Sequence, residues 1–195
     1  MAAMRKLGEV NALYPSLTTV LGTVVDGRAN FIAVAHVGIM NHSLPQYLTF
    51  GLNKKHYSNR GIHEHGTFSV NIPGEDLMAE TDCAGIVSGR RTDKSGLFET
   101  FSGELENAPM IKGCPVCMEC RVKDVLDFRT HEVFVGELVN TYAAEDVLSE
   151  DGGIDPARVR PLLFDMASRS YYSLGEPLGP CWSVGKELAN KLREK

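Results

Sequence analysis

The 195-residue sequence lacks several features that would assign it to a familiar class. It has five cysteines, an odd number, which does not fit a secreted framework in which every cysteine is paired. No run approaches the roughly 20 apolar residues of a membrane span, and the first residues lack the apolar core of a signal peptide. Reduced thiols are typical of the cytosol, so we expect a cytoplasmic protein without a membrane partner.

Positive charge and common catalytic motifs are also scarce. Lys and Arg total 20 against 25 Asp and Glu, which gives a net charge of −5. A nucleic-acid-binding domain usually carries a basic surface, so we expect no nucleic-acid partner. The sequence lacks four common motifs: the GxxxxGK[ST] phosphate loop, a GxGxxG turn after a strand, HExxH and GxSxG. It therefore gives no motif support for a typical nucleotide-binding protein, zinc protease or serine hydrolase.

What the sequence does contain is typical of a globular domain. Hydrophobic residues make up 43% and charged residues 23%, close to the averages of about 45–50% and about 25%. The length suits one domain of roughly 100–200 residues, and we predict a single domain over residues 1–195. A chain of this size can bury about 70% of its unfolded surface and needs no disulfide to fold.

Short β-branched and alternating runs predict a mainly β fold. Two of them flank Asp26-Gly27, a dipeptide typical of a tight hairpin. The predicted strands are residues 17–25, 28–37, 47–52, 67–72, 116–125 and 131–142. Because most of them are joined by hairpins rather than by helices, we expect an antiparallel sandwich or barrel.

Helices are predicted to be few and short. One covers residues 58–64, with Ser58 or Asn59 as its N-cap and Gly66 near its end. Further helices are predicted at residues 75–85 and 187–195. The segments 86–113, 150–161 and 164–182 are predicted to be irregular. A long irregular segment inside a compact domain is usually functional or disordered.

A cysteine triplet offers one route to chemistry. Cys114, Cys117 and Cys120 have the spacing of thiolates that bind zinc or an iron–sulfur cluster. A fourth ligand would have to come from Cys83, Cys181 or a histidine. The alternative is that the three cysteines are small buried hydrophobic residues. An iron–sulfur or zinc protein therefore stays open as an alternative.

Two histidines stand beside strong β runs. An imidazole in such a position is either functional or a core histidine with its polar atoms satisfied, and His36 and His131 admit both interpretations. The remaining candidates, His56, His63 and His65, lie in a polar stretch where solvated or helix-capping histidines are common.

A segment of small residues offers a binding surface. The residues from Asn30 to Gly38 have side chains small enough for a planar ligand to approach the backbone N–H groups. Ser58 and Asn59, at a predicted helix N-terminus, make a plausible phosphate site, and Lys94 could add positive charge to it. Simple packing explains small residues in a strand equally well.

Seven segments, taken in order, resemble one known family. They are DGRANFIAVAHVG, LPQYLTFGLNKKHYSNRGI, FSVNIP, SGRRTDKSGLF, PVCMEC, HEVFVGEL and YYSLGEPLG. Together they resemble the flavin reductase-like family with an FMN-binding split barrel, within it the flavoredoxin and ferric-reductase branch, over residues 14–179. The resemblance implies a mainly β fold, an antiparallel Greek-key split β-barrel with a few short helices.

The resemblance also implies a set of site residues. It assigns catalytic roles beside the flavin to His131 and His36, as groups that tune charge or relay a proton. The implied cofactor-binding residues are Asn30, Ala33, Val34, Ala35, His36, Val37, Gly38, Asn53, Tyr57, Ser58, Asn59, Lys94, His131, Tyr171 and Tyr172. No metal is part of this interpretation.

The implied function is oxidoreduction. FMN would be held noncovalently at a homodimer interface and would supply the redox chemistry itself. Electrons would pass from NAD(P)H or a reduced protein to free flavin, ferric iron or a redox protein partner. A flavin-binding module without turnover, for storage or sensing, remains a further alternative because a fold does not determine a function.

Overall fold

The computed structural model describes residues 3–194. Its strands are β1 (Ser16–Leu17), β2 (Thr19–Val25), β3 (Arg28–Val34), β4 (Gly38–Ile39), β5 (Tyr47–Asn53), β6 (Thr67–Ile72), β7 (Thr100–Phe101), β8 (Met110–Ile111), β9 (Val116–Asp127), β10 (His131–Ala143), β11 (Leu163–Asp165) and β12 (Ser170–Tyr172). Its α-helices are α1 (Ser58–His65), α2 (Met78–Ile86), α3 (Pro156–Val159) and α4 (Lys186–Arg193), and two 3₁₀ turns cover Glu75–Leu77 and Glu145–Val147.

Seven strands form one antiparallel sheet in the order β3-β2-β6-β9-β10-β5-β4. Strands about 4.8 Å apart would place the outer strands of a flat sheet roughly 29 Å apart. However, β3 ends at Val34 and β4 begins at Gly38, and four residues of extended chain span about 14 Å at most. The sheet must therefore curl until its two edges approach each other, which makes it a barrel that is open between β3 and β4.

The barrel interior is filled by the apolar side chains of alternate strand residues. Phe50, Phe68 and Phe134 lie at its centre, with ring centroids 4.9 and 5.4 Å from that of Phe50. The rest of this core is Leu21, Ile32, Val34, Leu48, Leu52, Ile62, Val70 and Cys120. Helix α1 closes the barrel because Gly61 packs against β2, where a Cβ would lie 2.1 Å from the Val24 carbonyl oxygen.

A second core lies on the outer face of the sheet. Val20 and Phe31 point outward from β2 and β3 and pack with Ala84 of α2, Phe98 and Met110. Beside it, a small sheet in the order β1-β11-β12 brings residues from both ends of the chain together. The second core and the small sheet are the neighbours of β3 on its outer side, and they leave a trough along this strand.

The mainly β, antiparallel prediction is confirmed, as are both hairpins, β2-β3 and β9-β10. The predicted irregular segments were wrong in part, since they contain β7, β8, α3, β12 and most of β11. All five are only two to four residues long, too short to show a periodicity. The last helix ends at Arg193, and Lys195, like residues 1 and 2 of the predicted domain, lies outside the described residues.

The predicted N-cap of α1 was also wrong. Tyr57 occupies that position with helical backbone angles, and no side chain caps the helix. Ser58 is instead the first helical residue, and its hydroxyl accepts a hydrogen bond from the amide of Asn30 at 2.8 Å. The predicted C-terminal signal is confirmed, because Gly66 takes the left-handed conformation with φ 62°.

Across residues 3–194, the structure contains no helix with both the length and the apolar character that crossing a membrane requires.

Candidate functional site

Two adjoining cavities of about 350 and 250 Å³ lie along β3 and share four lining residues. We call them the polar groove, lined by Asn30, Tyr57, Ser58, Gly89, Arg90 and Lys94. The groove lies between β3, the start of α1 and the loop that follows α2. Four of the residues predicted from the sequence, Asn30, Tyr57, Ser58 and Lys94, are thus brought together here.

The wall of the polar groove depends on a close backbone approach. A Cβ on Gly89 would lie 2.1 Å from the Oδ1 atom of Asn30 and 2.9 Å from the ring of Tyr57. Only glycine fits there, so the loop after α2 lies directly on the buried Asn30–Ser58 pair. Tyr57 is held from the other side, because its hydroxyl donates to Asp26 at 2.7 Å.

Lys94 is a buried cation without a counter-ion. It is only 7% exposed, and its Nζ donates to the carbonyl oxygens of Ala84 at 3.1 Å and Val87 at 3.0 Å. No carboxylate within residues 3–194 forms an ion pair with it. Burial lowers the pKa of Lys94 to about 8. The polar groove therefore offers a positive charge that an anion would stabilise.

His56 lines the same groove as Lys94. Its pKa is lowered first by burial and then by the nearby positive charges of His131, Lys94 and His36. The two histidines predicted to act beside the flavin therefore lie near the groove's lysine. Sequence reasoning missed His56, because its polar neighbours gave no sign that the turn after β5 places it against the groove.

A third cavity, of about 300 Å³, lies farther along β3 and shares Gly85 with the polar groove. We call it the aromatic cavity; its lining residues are Tyr14, Thr18, Ala33, Val34, Ala35, His36, Asp82, Gly85, Phe164, Met166 and Tyr171. Phe164 contacts the rings of Tyr14 and Tyr171 with centroid distances of 6.0 and 5.8 Å. Burial and a 3.1 Å hydrogen bond to Asp82 raise the pKa of Tyr171 to about 12.

The segment between β3 and β4 leaves backbone groups unpaired. His36 and Val37 lie outside both strand ladders, and no hydrogen bond from their N–H groups occurs within residues 3–194. The His36 side chain is fixed, since its Nε2 is 2.8 Å from the carbonyl oxygen of Gly51. A planar ligand at this gap in the barrel would meet free backbone donors.

His36 and His131 are both exposed, so the alternative that they are core histidines is wrong. His131 begins β10 opposite Asn53, and its Nδ1 is 2.8 Å from the hydroxyl of Thr130. A carbonyl only accepts hydrogen bonds, so Nε2 of His36 carries a proton and its Nδ1 is the free atom. For His131, Nε2 is the free atom.

The other predicted residues do not line the polar groove. The Asn59 amide donates to the Asn53 carbonyl at 3.2 Å and to Glu132 at 3.1 Å. Asn53 accepts from the N–H of Lys55 at 3.0 Å. Val37 packs on the barrel core, and Tyr172 points to the exposed face of β12, opposite Tyr171. Asn53 and Asn59 therefore brace the turn that carries His56.

The three clustered cysteines do not share one environment. Cys114 and Cys117 belong to the outer core, whereas Cys120 points into the barrel from the other face of β9. Over the described residues, no three His, Cys, Asp or Glu side chains are grouped so as to hold a metal ion. A side-chain hydrogen bond with Cys117, together with burial, raises the pKa of the Cys114 thiol. This geometry disfavours the iron–sulfur or zinc alternative and supports buried cysteines that pack as hydrophobic residues.

Similarity to known proteins agrees with this geometry. Residues 11–175 match the family model described as the flavin reductase like domain. The chain is 43% identical to the flavoredoxin of Methanosarcina acetivorans, whose crystal structure superposes with a TM-score of 0.92 over 96% of this chain and 100% of that one. The flavoredoxin of Desulfovibrio vulgaris (Miyazaki F) is 33% identical, with a TM-score of 0.84 over 93% of this chain and 100% of that one.

A curated relative carries a more specific name. The FMN reductase (NADH) RutF of Ancylobacter novellus is 28% identical over 153 residues, which covers 77% of this chain and 74% of the relative. The curled antiparallel sheet is accordingly the split barrel that the resemblance implied. Because the family model spans most of the sequence and the flavoredoxins align over nearly all of it, the chain belongs to the flavin reductase-like family.

Proposed function

We propose that this protein binds FMN noncovalently and passes reducing equivalents from NAD(P)H or a reduced protein to an acceptor such as free flavin, ferric iron or a redox partner. The observation that carries the proposal is Lys94, a buried cation that pairs with no carboxylate of residues 3–194. A protein keeps such a charge at a cost, and a phosphate in the groove would offset it. The family membership and the name of the relative RutF support the choice of FMN.

The chain offers distinct contacts for the two ends of FMN. Lys94, Ser58, Asn30 and Tyr57 would hold the phosphate and ribityl chain in the polar groove. The backbone of residues 33–38 would meet the ring, with free N–H groups at His36 and Val37. Bound FMN would supply the electron transfer, and the protein would supply orientation and charge.

His36 and His131 would take up and release protons beside the flavin ring. Nδ1 of His36 and Nε2 of His131 are free of protein hydrogen bonds in the described structure, so each can exchange a proton with solvent. The nearby positive charges that, after burial, lower the pKa of His56 would also stabilise negative charge on a reduced ring. Tyr171, and Tyr172 after rearrangement, would cover the ring from the side of β12.

A homodimer is part of the proposal. Large apolar side chains of the C-terminal segment are exposed, among them Trp182 at 93% and Leu192 at 73%. A second copy would cover such groups and would also protect the edges at the barrel opening. The mass of the FMN-loaded protein by light scattering tests this, and a monomer that retains FMN would contradict it.

The central experiment measures FMN itself. We expect the purified protein to absorb as a flavoprotein and to release about one FMN per chain, identified by mass. The double variant Asn30→Ala with Lys94→Met should lose most of its affinity, whereas Lys112→Met, at a surface lysine paired with Glu99, should keep it. Unchanged affinity in the double variant would refute this assignment of the site.

Turnover is tested separately. Steady-state oxidation of NADH and NADPH, with free FMN or ferric citrate as acceptor, should show which donor is used. A protein that binds FMN yet oxidises neither nicotinamide would point to a reduced protein donor or to a flavin-binding module without turnover. Reduction of the bound flavin by a purified redox protein, followed in a stopped-flow instrument, separates those two outcomes.

A further inference from the structure

Residues 173–194 form an arm that leaves the body of the protein after β12. The family model ends at residue 175, so most of the arm lies outside the family domain. Its first part, residues 173–181, forms no helix or strand, and none of its N–H groups donates to a backbone carbonyl within residues 3–194. Pro177 and Pro180 favour an extended backbone there, because proline restricts both its own φ and the residue before it.

The apolar side chains of the arm are exposed. Leu178 and Trp182 precede α4, and Leu188 and Leu192 share one face of that helix because they are four residues apart. An isolated helix as short as α4 is unstable in water, so most of its stability has to come from packing. The described chain offers α4 no surface to pack on, which indicates that the arm lies on another molecule.

A second apolar surface lies at the opening of the barrel. We call it the edge patch; it consists of Ile39, Met40 and Leu44, which are all exposed. It includes the end of β4, the edge strand of the seven-stranded sheet, and native proteins normally cover such an edge. The arm starts close to it, because Tyr171 of β12 lines the same cavity as His36, two residues before β4.

A second copy of this chain fits the edge patch better than a charged partner does. Residues 37–53 contain no Lys, Arg, Asp or Glu, so the patch would attract a partner through apolar contact alone. Each copy carries one arm and one edge patch, and a two-fold axis lets each arm lie on the patch of the other copy. An extended stretch as long as residues 173–181 reaches up to about 30 Å. The whole arm also supplies about 20 residues, the number that one side of a stable interface contributes.

We propose that two copies of this chain exchange their arms, so that the arm of each copy lies on the edge patch of the other and Trp182 contributes to the partner's flavin site. The inference rests on the homodimer of the proposed function and goes beyond it, because it names the two segments that meet. The edge patch directly follows His36 and Val37, whose free N–H groups are assigned to the flavin ring. Trp182, between the extended part of the arm and α4, is the large side chain that would exclude water there.

Cross-linking between engineered cysteines tests the contact. The background variant Cys181→Ser removes the exposed native thiol. Leu178→Cys is then combined with Met40→Cys, and the protein as purified is oxidised with glutathione disulfide. A disulfide requires Cα atoms within about 7 Å of each other, so a covalent dimer on a non-reducing gel is expected only if the arm reaches the patch of the other copy. Each single variant should stay a single chain. Leu178→Cys with Ile154→Cys, at an exposed residue outside the edge patch, is the matched control and should also stay a single chain.

Substitutions in the full chain test the stability of the dimer. Leu178→Glu with Leu192→Glu should weaken dimer formation about a hundredfold, as measured by light scattering over a dilution series, because two carboxylates would be buried against an apolar patch. Met4→Glu with Leu7→Glu is the control, since these exposed side chains lie in the N-terminal segment. If the control pair separates the copies and the arm pair does not, the N-terminal segment covers the patch and the inference is wrong.

Trp182 is tested through the cofactor. Trp182→Ala should weaken FMN binding about tenfold without separating the copies, whereas Trp182→Phe should retain most of the affinity, because an aromatic ring still excludes water. An unchanged FMN affinity in Trp182→Ala would overturn the assignment of this residue to the partner's site.

The outcomes separate this inference from the proposed function. A covalent dimer of a chain that holds no FMN would support arm exchange and refute the cofactor. An FMN-loaded dimer that forms no cross-link would overturn the inference alone. Loss of both thiols without a covalent dimer would also overturn it, because the arm would then lie on the edge patch of its own chain.

Discussion

Two buried charged side chains, Glu119 and Lys94, occupy very different surroundings. Glu119 is 0% exposed, and its carboxylate accepts hydrogen bonds from the N–H groups of Glu104 and Leu105. The side chains of Asn140 and Tyr142 donate two more, at 3.0 and 2.9 Å. Among the described residues, Lys94 has only two carbonyl partners and no opposite charge.

The pKa shifts show what this difference means. Burial alone would raise the pKa of Glu119, but its four hydrogen bonds together hold it below the usual range. The protein therefore favours the charged form of Glu119, whereas burial disfavours the charged form of Lys94. A satisfied buried charge stabilises the fold, and an unsatisfied one indicates a ligand. Four measurements test this difference between Glu119 and Lys94.

Removing the carboxylate should cause the largest effect. Glu119→Leu leaves four donors without an acceptor, two of them backbone N–H groups, and should lower the free energy of unfolding by about 4 kcal/mol. Denaturant unfolding measures this. Glu99→Leu is the control, because its carboxylate is exposed and pairs only with Lys112; it should change stability by under about 0.5 kcal/mol. Equal effects of the two variants would contradict the structural role of Glu119.

Removing the lysine should affect binding more than folding. Lys94→Met should weaken FMN binding by about 2–3 kcal/mol, roughly a hundredfold in Kd, because the phosphate would remain buried without a counter-charge. Fluorescence titration of FMN measures it, with Lys112→Met as the exposed control. The unfolding free energy of the unliganded variant should change by under about 1 kcal/mol. If Lys94→Met caused a large loss of stability and left FMN affinity unchanged, Lys94 would have a structural role like that of Glu119.

The pH dependence of stability should distinguish the two charges as well. Between pH 8 and 10.5, unliganded folded protein loses the Lys94 proton while the unfolded chain keeps it. Stability relative to Lys94→Met should therefore rise with pH across that window, by at most about 1.4 kcal/mol per unit. Saturating FMN should suppress the rise, since an anion restores the charged form. A flat difference without FMN would contradict the unsatisfied state of Lys94.

The sequence predicted the barrel better than it predicted the contrast between the buried charges of Glu119 and Lys94. The runs at residues 47–52 and 131–142 predicted β5 and β10, because strand periodicity is local, and the structure then places Phe50 and Phe134 of these strands inside the barrel. The resemblance pointed to Lys94 and Asn30. The sequence named His56 as a candidate but did not reveal its position, because its surroundings depend on the loop after α2, about 30 residues further along the chain.

The smallest predicted effect comes from removing a single hydrogen-bond donor to the Glu119 carboxylate. Tyr142→Phe leaves the carboxylate with three hydrogen bonds and should cost about 1 kcal/mol of stability at pH 7. Because the pKa of Glu119 is lowered in the folded state, this contribution is present above the ordinary value of 4.5 and is lost as pH falls below it. The stability difference between wild type and Tyr142→Phe should therefore shrink in acid, as chemical denaturation at pH 7 and pH 3 can measure. Tyr172→Phe, at an exposed phenol, provides the control with no such pH dependence. If Tyr142→Phe cost the same at both pH values, the phenol would contribute through packing with Phe101 rather than through the charge it stabilises.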